Sequence, residues 1–362
     1  RTPSLILDRG KLERNLKRMS ARMRERGVSL RPHLKTAKSA DVARLAVDGE
    51  AGGITVSTIA EAEYFADHGL RDITLAVGIT PEQLDRITVL SDHGATITVI
   101  TDDVTAARAI AAHHGEFKVL IEIDSGESRG GVSPDSAALI EIGKTLGPRL
   151  AGVLTHAGHS YEARGEAALK KVAEDERVAV TTAAQRLRDA GLQCDVVSLG
   201  STPSMSHVEK LDGVTEARPG VYMFQDLFQA AIGSCTRDDI VVTVLASVIG
   251  CRPSKNQILI DAGAIAMSKD RSTATTDQDA GYGLVWDIDG NESLGALRVD
   301  QVFQEHGIVT SSAPLPFNKL AVGTKVRVAP NHSCLTAAAY DKYYVVDGGQ
   351  EIVAEWERVN GW

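Results

Sequence analysis

The feature that most constrains the fold of this chain is a regular alternation of strand-like and helix-like segments over its first two-thirds. Eight runs read as strands: VSLRPHLK, GITVS, DITLAV, ATITVI, KVLIEID, LAGVLTHAG, VVSLG and GVTEARPG. Amphipathic helical patterns such as TIAEAEYFADHG and DVTAARAIAAHHG separate most of them, and several end in glycine, the usual residue after a helix C-terminus. Alternation of this kind favours a parallel sheet, and eight such units predict an α/β fold, a closed (β/α)8 TIM-type barrel.

The pattern changes from about Ile240 onwards. Short strand-like runs, among them DIVVTVLASVIG, QILIDAGAIAM and TKVRVAPNHSC, follow one another with turns rich in Gly, Pro and Asp and without a long helix. We therefore predict a barrel domain at residues 9–234 and an antiparallel β domain at residues 235–362. The strand-like opening within residues 1–8 is expected to pair with the β domain.

Composition narrows the class of protein. The formal net charge of -9 argues against a nucleic-acid partner, for which a basic surface is expected. No apolar run approaches the roughly 18 residues of a membrane-spanning helix. The four cysteines are scattered, which suits a reducing compartment better than a disulfide framework. We expect a cytoplasmic protein that acts on a small molecule.

A cationic row in the first predicted strand indicates chemistry. Barrel enzymes place their functional groups at the C-terminal ends of the strands. Because alternate residues of a strand share a face, Ser29, Arg31, His33 and Lys35 would all point into the barrel, where aliphatic side chains are usual. A buried lysine among cations has a lowered pKa and is a competent nucleophile and base. We predict that Lys35 is functional and that Lys38 lies at the surface or rim; a solvated cluster of charges is the alternative.

Two glycine-containing segments follow the seventh and eighth predicted strands. They are GST at Gly200–Thr202 and RPGVY at Arg218–Tyr222. Loops at these two positions hold phosphate groups in many barrels, although each segment by itself also fits an ordinary turn. A nucleophilic lysine together with a phosphate cradle favours pyridoxal phosphate as the cofactor.

A resemblance follows from the motifs taken together. The segments TPSLILD, RPHLKTAKS, EIDSGESRGGV, THAGHSYE, LGSTPS, GVTEARPGVYMFQD, DAGAIAMSKD, QEHGIV and PNHSC resemble those of the fold-type III pyridoxal-phosphate enzymes, within them the family of D-threonine aldolase and D-serine dehydratase. The resemblance extends over essentially the whole chain. It implies an alanine-racemase-like barrel with a C-terminal β domain, and a homodimer with active sites at its interface.

The resemblance also implies roles for single residues. Lys35 would carry the cofactor as a Schiff base, and Arg129 would contact its phenolic oxygen. His156 and Tyr161 would lie around the cofactor ring. The phosphate group would be held by Gly200, Ser201, Thr202, Gly220, Val221 and Tyr222.

The motif PNHSC separates the branches of this family. In a strand, His332 and Cys334 share a face, so one metal ion can contact both. The resemblance implies a divalent metal near the substrate, held by His-x-Cys in dehydratases and by His-x-Asp in aldolases. A thiolate with an imidazole favours zinc. Without the family context, a buried histidine and a structural cysteine would be the simpler interpretation.

The resulting hypothesis is a zinc- and pyridoxal-phosphate-dependent dehydratase, an ammonia-lyase that converts D-serine or D-threo-3-hydroxyaspartate to a 2-oxo acid and ammonia. Lys35 would remove the α-proton, and zinc would assist the departing hydroxyl. Arg31, Arg271 and Lys269 are candidates to bind a second substrate carboxylate. The alternatives are a metal-dependent D-threonine-type aldolase, a non-catalytic carrier of the cofactor, and a racemase, for which no second base is evident.

Overall fold

The computed structural model describes residues 1–50 and 52–362. The chain divides into two compact units. The barrel unit comprises Arg18–Gly220 and Val359–Trp362, and the β unit comprises Arg1–Lys17 and Val221–Arg358. Within the described residues, no helix has the length and apolar character that crossing a bilayer requires.

Both units are built from strands and helices. The strands are β1 (Ser4–Asp8), β2 (Ser29–Leu30), β3 (Ile54–Val56), β4 (Asp72–Gly78), β5 (Thr96–Thr101), β6 (Lys118–Ile123), β7 (Leu150–Thr155), β8 (Val196–Leu199), β9 (Glu216–Ala217), β10 (Val242–Arg252), β11 (Gln257–Ile260), β12 (Leu284–Trp286), β13 (Leu297–Val302), β14 (Gly307–Thr310), β15 (Lys325–Ala329), β16 (Lys342–Val346) and β17 (Ala354–Glu357). The helices are α1 (Arg9–Glu25), α2 (Ala40–Val47), α3 (Ile59–Asp67), α4 (Leu84–Asp92), α5 (Val104–Ala112), α6 (Ala137–Leu146), α7 (Glu166–Asp189), α8 (Thr202–His207), α9 (Leu227–Ala231), α10 (Ala264–Met267) and α11 (Ser333–Ala337).

The barrel unit contains an eight-stranded sheet in the order β2-β9-β8-β7-β6-β5-β4-β3, with every pairing parallel. A parallel bridge between His33, three residues after β2, and Thr55 in β3 joins the two ends of this sheet. The N–H of Leu34 donates to the Thr55 carbonyl at 2.8 Å, and the N–H of Thr55 donates to the Pro32 carbonyl at 2.9 Å. One helix, from α2 to α8, lies between each pair of consecutive strands. The predicted (β/α)8 barrel is therefore confirmed.

Side-chain caps explain where several barrel helices begin. The side chain of Thr58 accepts the N–H of Glu61 before α3, and Asp103 accepts the N–H of Ala106 before α5. A cap of this kind contributes about 1 kcal/mol. Ser39 lies at the N-cap position of α2, but its hydroxyl makes no capping hydrogen bond.

The β unit contains a nine-stranded sheet in the order β11-β14-β13-β12-β15-β10-β1-β16-β17. Strand β1 runs antiparallel to β10 and parallel to β16, and the other pairings are antiparallel. Leu227, Ile240, Ala280, Trp286 and Ala329 form a buried cluster in this unit. The predicted antiparallel β domain is therefore also present.

The two compact units differ in extent from the predicted domains, 9–234 and 235–362. The Asn15 amide of α1 donates to the Met223 carbonyl at 3.3 Å and to the Asp239 carbonyl at 2.8 Å. The N–H of Leu227 donates to the Pro330 carbonyl at 3.0 Å. These bonds attach the first half of α1 and the segment after Gly220 to the β unit. The sequence-based boundaries stay a prediction.

Two predicted strands end earlier than expected. Strand β2 ends at Leu30, and Lys35 lies in a turn that the N–H of Lys38 closes by donating to the Leu34 carbonyl at 2.7 Å. Pro32 has no N–H, so the ladder cannot continue regularly through it. Strand β15 likewise ends at Ala329, before Pro330.

Candidate functional site

Lys35 lies at the C-terminal end of the first barrel strand, as predicted, but it is exposed. The expectation of a buried lysine on an inward strand face was wrong, because the turn that follows β2 carries the side chain out of the sheet. Its charge still acts on two neighbours. Burial first, and then the Lys35 ammonium, lower the pKa of His33 and of His156.

His156, directly after β7, is held in one orientation. Its Nδ1 lies 3.2 Å from the Gly200 carbonyl oxygen. Burial, together with the charges of Lys35 and Arg129, lowers the pKa of His156 to about 3. The ring is therefore neutral at physiological pH, and Nδ1 must carry the proton because it faces a carbonyl. Nε2 is left as an acceptor.

Two further predicted residues lie around this imidazole. The ring of Tyr161 is 6.4 Å from the His156 ring, centroid to centroid. Arg129 is exposed after β6, lies close enough to lower the pKa of His156, and has its Nη1 3.4 Å from a carboxylate oxygen of Glu127. The structure thus brings Lys35, Arg129, His156 and Tyr161 together at one end of the barrel.

The glycine segment after β8 is bonded differently from the prediction. The N–H of Gly200 donates to Glu176 Oε1 at 3.0 Å, and the N–H of Ser201 donates to Ser204 Oγ at 3.0 Å. Both N–H groups that the sequence assigned to a phosphate therefore have partners within the protein. Thr202, which begins α8, is fully buried.

The second glycine segment crosses close to the Lys35 turn. A Cβ added at Gly220 would lie 2.9 Å from the His33 carbonyl oxygen, so any larger residue would displace the backbone at His33. Val221 and Tyr222 follow and are buried in the β unit.

Sequence reasoning missed two buried charges in the barrel unit. Arg218, directly after β9, is 4% exposed, donates to the Thr155 carbonyl at 2.6 Å and has a buried Nε with no hydrogen-bond partner among the described residues. Its position at a barrel strand end was a usable signal. Glu176, in the middle of α7, is fully buried, and burial raises its pKa. Its spacing of three to four residues from Ala173 and Val180, on the apolar face of the helix, was the usable signal.

Three other cations have partners inside the protein. Arg31 pairs with Glu216 at 2.8 Å and with Asp72 at 2.9 Å. Lys38 lies 3.1 Å from the fully buried Glu61, so it is a structural residue rather than a surface one.

In the β unit, the Arg271 guanidinium is 3.0 Å from Asp279 and stacks on the Tyr282 ring at 5.0 Å. Arg31 and Arg271 therefore each form ion pairs within the protein, and their role toward a substrate carboxylate stays a prediction.

His332 and Cys334 lie together at the start of the short helix α11. Their side chains are hydrogen-bonded, and His332 Nδ1 is 3.7 Å from Asp270 Oδ2. Burial opposes protonation, but the bonds to Asp270 and Cys334 raise the pKa of His332. The predicted shared strand face was wrong, since His332 occupies the N-cap position of a helix. The turn itself brings the two side chains together.

A buried carboxylate, that of Asp226, is hydrogen-bonded to the loop that carries this pair. Asp226 is 2% exposed, and its carboxylate accepts the N–H of Ser333 at 3.1 Å and caps α9 through the N–H of Gln229. Among the described residues, no set of three or more His, Cys, Asp or Glu side chains is arranged to hold a metal ion. An imidazole beside a thiol is nevertheless a donor pair that suits zinc, with water or substrate completing the coordination.

The neutral His156 predicts an acid-sensitive fold. Its pKa is about 3 in the folded protein and 6.5 ordinarily. Between these values the unfolded chain binds a proton that the folded chain does not, so the free energy of unfolding should fall with decreasing pH, by at most about 1.4 kcal/mol per pH unit. Urea unfolding of the cofactor-free protein at about pH 7 and about pH 5 measures this slope. His156→Gln should reduce it, and an unchanged slope would contradict the assignment.

Comparison with known proteins agrees with this architecture. The sequence matches the N-terminal domain of alanine racemase over residues 7–227 and the serine dehydratase domain over residues 241–346. D-threo-3-hydroxyaspartate dehydratase of Delftia sp. (strain HT23) is 45% identical over 375 residues, covering 100% of this chain and 98% of that protein. D-serine dehydratase of Dictyostelium discoideum is 29% identical over 392 residues, covering 100% and 97%.

A solved structure is also similar to this chain, both in sequence and in fold. A mutant of D-threo-3-hydroxyaspartate dehydratase in a metal-free form has a TM-score of 0.96 and 43% sequence identity, covering 100% of this chain and 98% of that one. Both domains, their order and the full length are shared. This chain therefore belongs to the family of fold-type III pyridoxal-phosphate enzymes that includes the D-serine and D-threo-3-hydroxyaspartate dehydratases.

Proposed function

We propose that this protein is a pyridoxal-phosphate- and zinc-dependent lyase that dehydrates a D-β-hydroxy amino acid, D-threo-3-hydroxyaspartate or D-serine, to a 2-oxo acid and ammonia. The observation that carries the proposal is the convergence of Lys35, neutral His156 and the Gly200 segment at one end of the barrel. Family membership and the degree of identity to a D-threo-3-hydroxyaspartate dehydratase support it.

The residues present fit the cofactor. The exposed Lys35 amine offers a covalent attachment point, and the buried Nε of Arg218 and Nδ1 of His159 lack protein partners among the described residues. We assign the ring contacts to Arg129, His156 and Tyr161. The phosphate contacts are assigned to the segments Gly200–Thr202 and Gly220–Tyr222 through groups other than the N–H of Gly200 and of Ser201, which have partners within the protein. When bound, pyridoxal phosphate supplies an electron sink for the substrate α-carbon.

The protein contributes positioning and proton transfer. We assign Lys35 as the base that takes the α-proton, because it is the amine at the barrel rim beside two imidazoles that stay neutral. His156 does not compete for that proton, since its pKa of about 3 makes the neutral imidazole a weak base. Its Nδ1–H is engaged by Gly200, which fixes the plane of the ring.

We assign His332 and Cys334 as the metal ligands. A divalent metal bound there supplies a Lewis acid for the β-hydroxyl, which is otherwise a poor leaving group. Asp270 faces Nδ1 of His332, so Nε2 is the nitrogen available for coordination. The thiol of Cys334 beside the His332 imidazole supports zinc.

We further propose a cytoplasmic homodimer. None of the four cysteines forms a disulfide, which supports a reducing compartment, and the family resemblance supports the dimer. Light scattering of the purified 38.5 kDa chain tests the dimer directly, and a monomeric mass would contradict it.

A substrate panel tests the activity. D-serine, D-threonine and both D-3-hydroxyaspartates are supplied to the holoenzyme, with ammonia, 2-oxo acid and glycine measured as products. We expect pyruvate with ammonia from D-serine and oxaloacetate with ammonia from the threo isomer of hydroxyaspartate. Glycine and acetaldehyde from D-threonine, without ammonia, would instead identify an aldolase. Bound cofactor without any turnover would identify a carrier of the cofactor.

A further inference from the structure

The buried face of α7 contains one charged side chain among its apolar ones. The residues of this helix that face the interior recur at helical spacing: Leu169, Ala173, Glu176, Val180, Ala183, Ala184 and Leu187. Burying a carboxylate costs free energy unless donors compensate for the lost hydration. An aliphatic side chain would satisfy the helix packing, so the position of Glu176 points to a role beyond packing.

The donors to Glu176 come from two different loops of the barrel. Its Oε1 accepts the N–H of Ala157 at 2.9 Å and the N–H of Gly200 at 3.0 Å. Ala157 directly follows His156 after β7, and Gly200 directly follows β8. One carboxylate oxygen therefore holds together the two loops that carry His156 and the first glycine segment.

The connection to the imidazole continues through the backbone of Gly200, whose N–H and carbonyl belong to consecutive peptide units on either side of its Cα. The N–H of Gly200 is oriented by Glu176, and the carbonyl of Gly200 accepts from Nδ1 of His156 at 3.2 Å. The Gly200 backbone has φ +122°, and a Cβ there would lie 3.2 Å from the N atom of Arg218. A side chain at this position would displace the backbone, so the orientation of both peptide units depends on the glycine and on the Glu176 acceptor.

We propose that Glu176 is a positioning residue, which fixes the backbone at Gly200 and through it the plane and the Nδ1–H tautomer of His156, and so shapes the cofactor-binding end of the barrel. The part that concerns the cofactor rests on the proposed function. The part that concerns His156 does not, because the contacts exist in the protein alone.

Two substitutions separate the effect of the hydrogen-bond acceptor at position 176 from the effect of burying a side chain there. Glu176→Gln keeps one carbonyl oxygen in place of Oε1, whereas Glu176→Leu continues the apolar stripe and removes the acceptor. In the cofactor-free protein, nitrogen chemical shifts of ¹⁵N-labelled histidine, with His156 assigned by its loss in His156→Gln, report the tautomer. In the same variants, spectrophotometric titration with pyridoxal phosphate gives the dissociation constant.

We expect Glu176→Gln to keep the Nδ1–H signal and to bind the cofactor within about threefold of the parent protein. Glu176→Leu should give mixed tautomers and weaken binding by at least about tenfold, as the loss of hydrogen bonds from two buried N–H groups implies. Leu187→Ala is the matched control. This residue is fully buried on the same helix and packs near Gly143, so its truncation should lower the melting temperature without changing either readout.

Three outcomes would overturn the inference. One is a normal His156 signal with normal cofactor affinity in Glu176→Leu. Another is that Glu176→Gln loses the Nδ1–H signal of His156 and the cofactor affinity to the same extent as Glu176→Leu. The third is that Leu187→Ala, at an equal melting temperature, changes both readouts as Glu176→Leu does. If the parent protein itself binds no cofactor, the proposed function fails, and the His156 signal still decides the role of Glu176.

Discussion

Lys35→Ala is expected to abolish covalent attachment of the cofactor and to lower turnover by at least about 10³-fold, because it removes both the attachment point and the proposed base. The visible absorbance of the lysine-bound cofactor, at about 410–420 nm, should disappear. Borohydride reduction followed by peptide mass spectrometry should label Lys35 in the parent protein and no lysine in the variant.

Lys38→Ala is the matched control for that experiment. Lys38 lies three residues further on and pairs with the buried Glu61 at 3.1 Å, so its loss should destabilise the fold by a few kcal/mol. Attachment and turnover should persist in the folded fraction. If the label were found on Lys38, and Lys35→Ala kept both the absorbance and the activity, the assignment of Lys35 would be wrong.

Removal of the metal ligand Cys334 should separate dehydration from cofactor binding. Cys334→Ala, or prolonged EDTA treatment, should leave the visible absorbance unchanged because Lys35 is untouched. Turnover of D-serine should fall by about 10³-fold or more, since a Lewis acid is worth several kcal/mol to a departing hydroxide and each 1.4 kcal/mol is about tenfold in rate. β-Chloro-D-alanine should be affected far less, because chloride leaves without such help.

Cys251→Ala provides the control for the thiol. Cys251 is another free cysteine of the β unit, and its Sγ donates to the Leu320 carbonyl at 3.2 Å. Its replacement should leave the zinc content and both activities unchanged. Equal loss of D-serine and β-chloro-D-alanine turnover in Cys334→Ala would show that the metal has a structural role or binds substrates in general, and would refute its assistance to the leaving group.

Much of the candidate site followed from strand ends. Lys35, Arg129, His156 and Gly200 each come shortly after a predicted barrel strand, and the ends of parallel strands meet at one rim. Their proximity therefore required only the order of the elements. What each side chain does at that rim was predicted less well. Lys35 is exposed in a turn, and the N–H of Gly200 is bonded to Glu176 rather than open to an anion.

For the proposed metal ligands, the contact was predicted correctly but the local structure was not. His332 and Cys334 were paired on the assumption of a strand, in which residues two apart share a face. Pro330 ends the strand β15, and the two residues lie at the start of helix α11 instead. They still contact each other, because the turn before a helix also brings such residues together. The sequence predicted the contact for the wrong reason.

The sequence by itself determined the fold class, because the periods of its apolar residues and its glycine and proline stops are local properties that each segment carries alone. The tertiary structure alone decided which charges are available for chemistry. Arg31 forms ion pairs with Glu216 and Asp72, and Lys38 forms one with Glu61. The N–H of Gly200 donates a hydrogen bond to Glu176. Those partners are distant in the chain, so the sequence does not show them. A charge or N–H group has a structural role when folding gives it a partner, and is available for chemistry when folding does not.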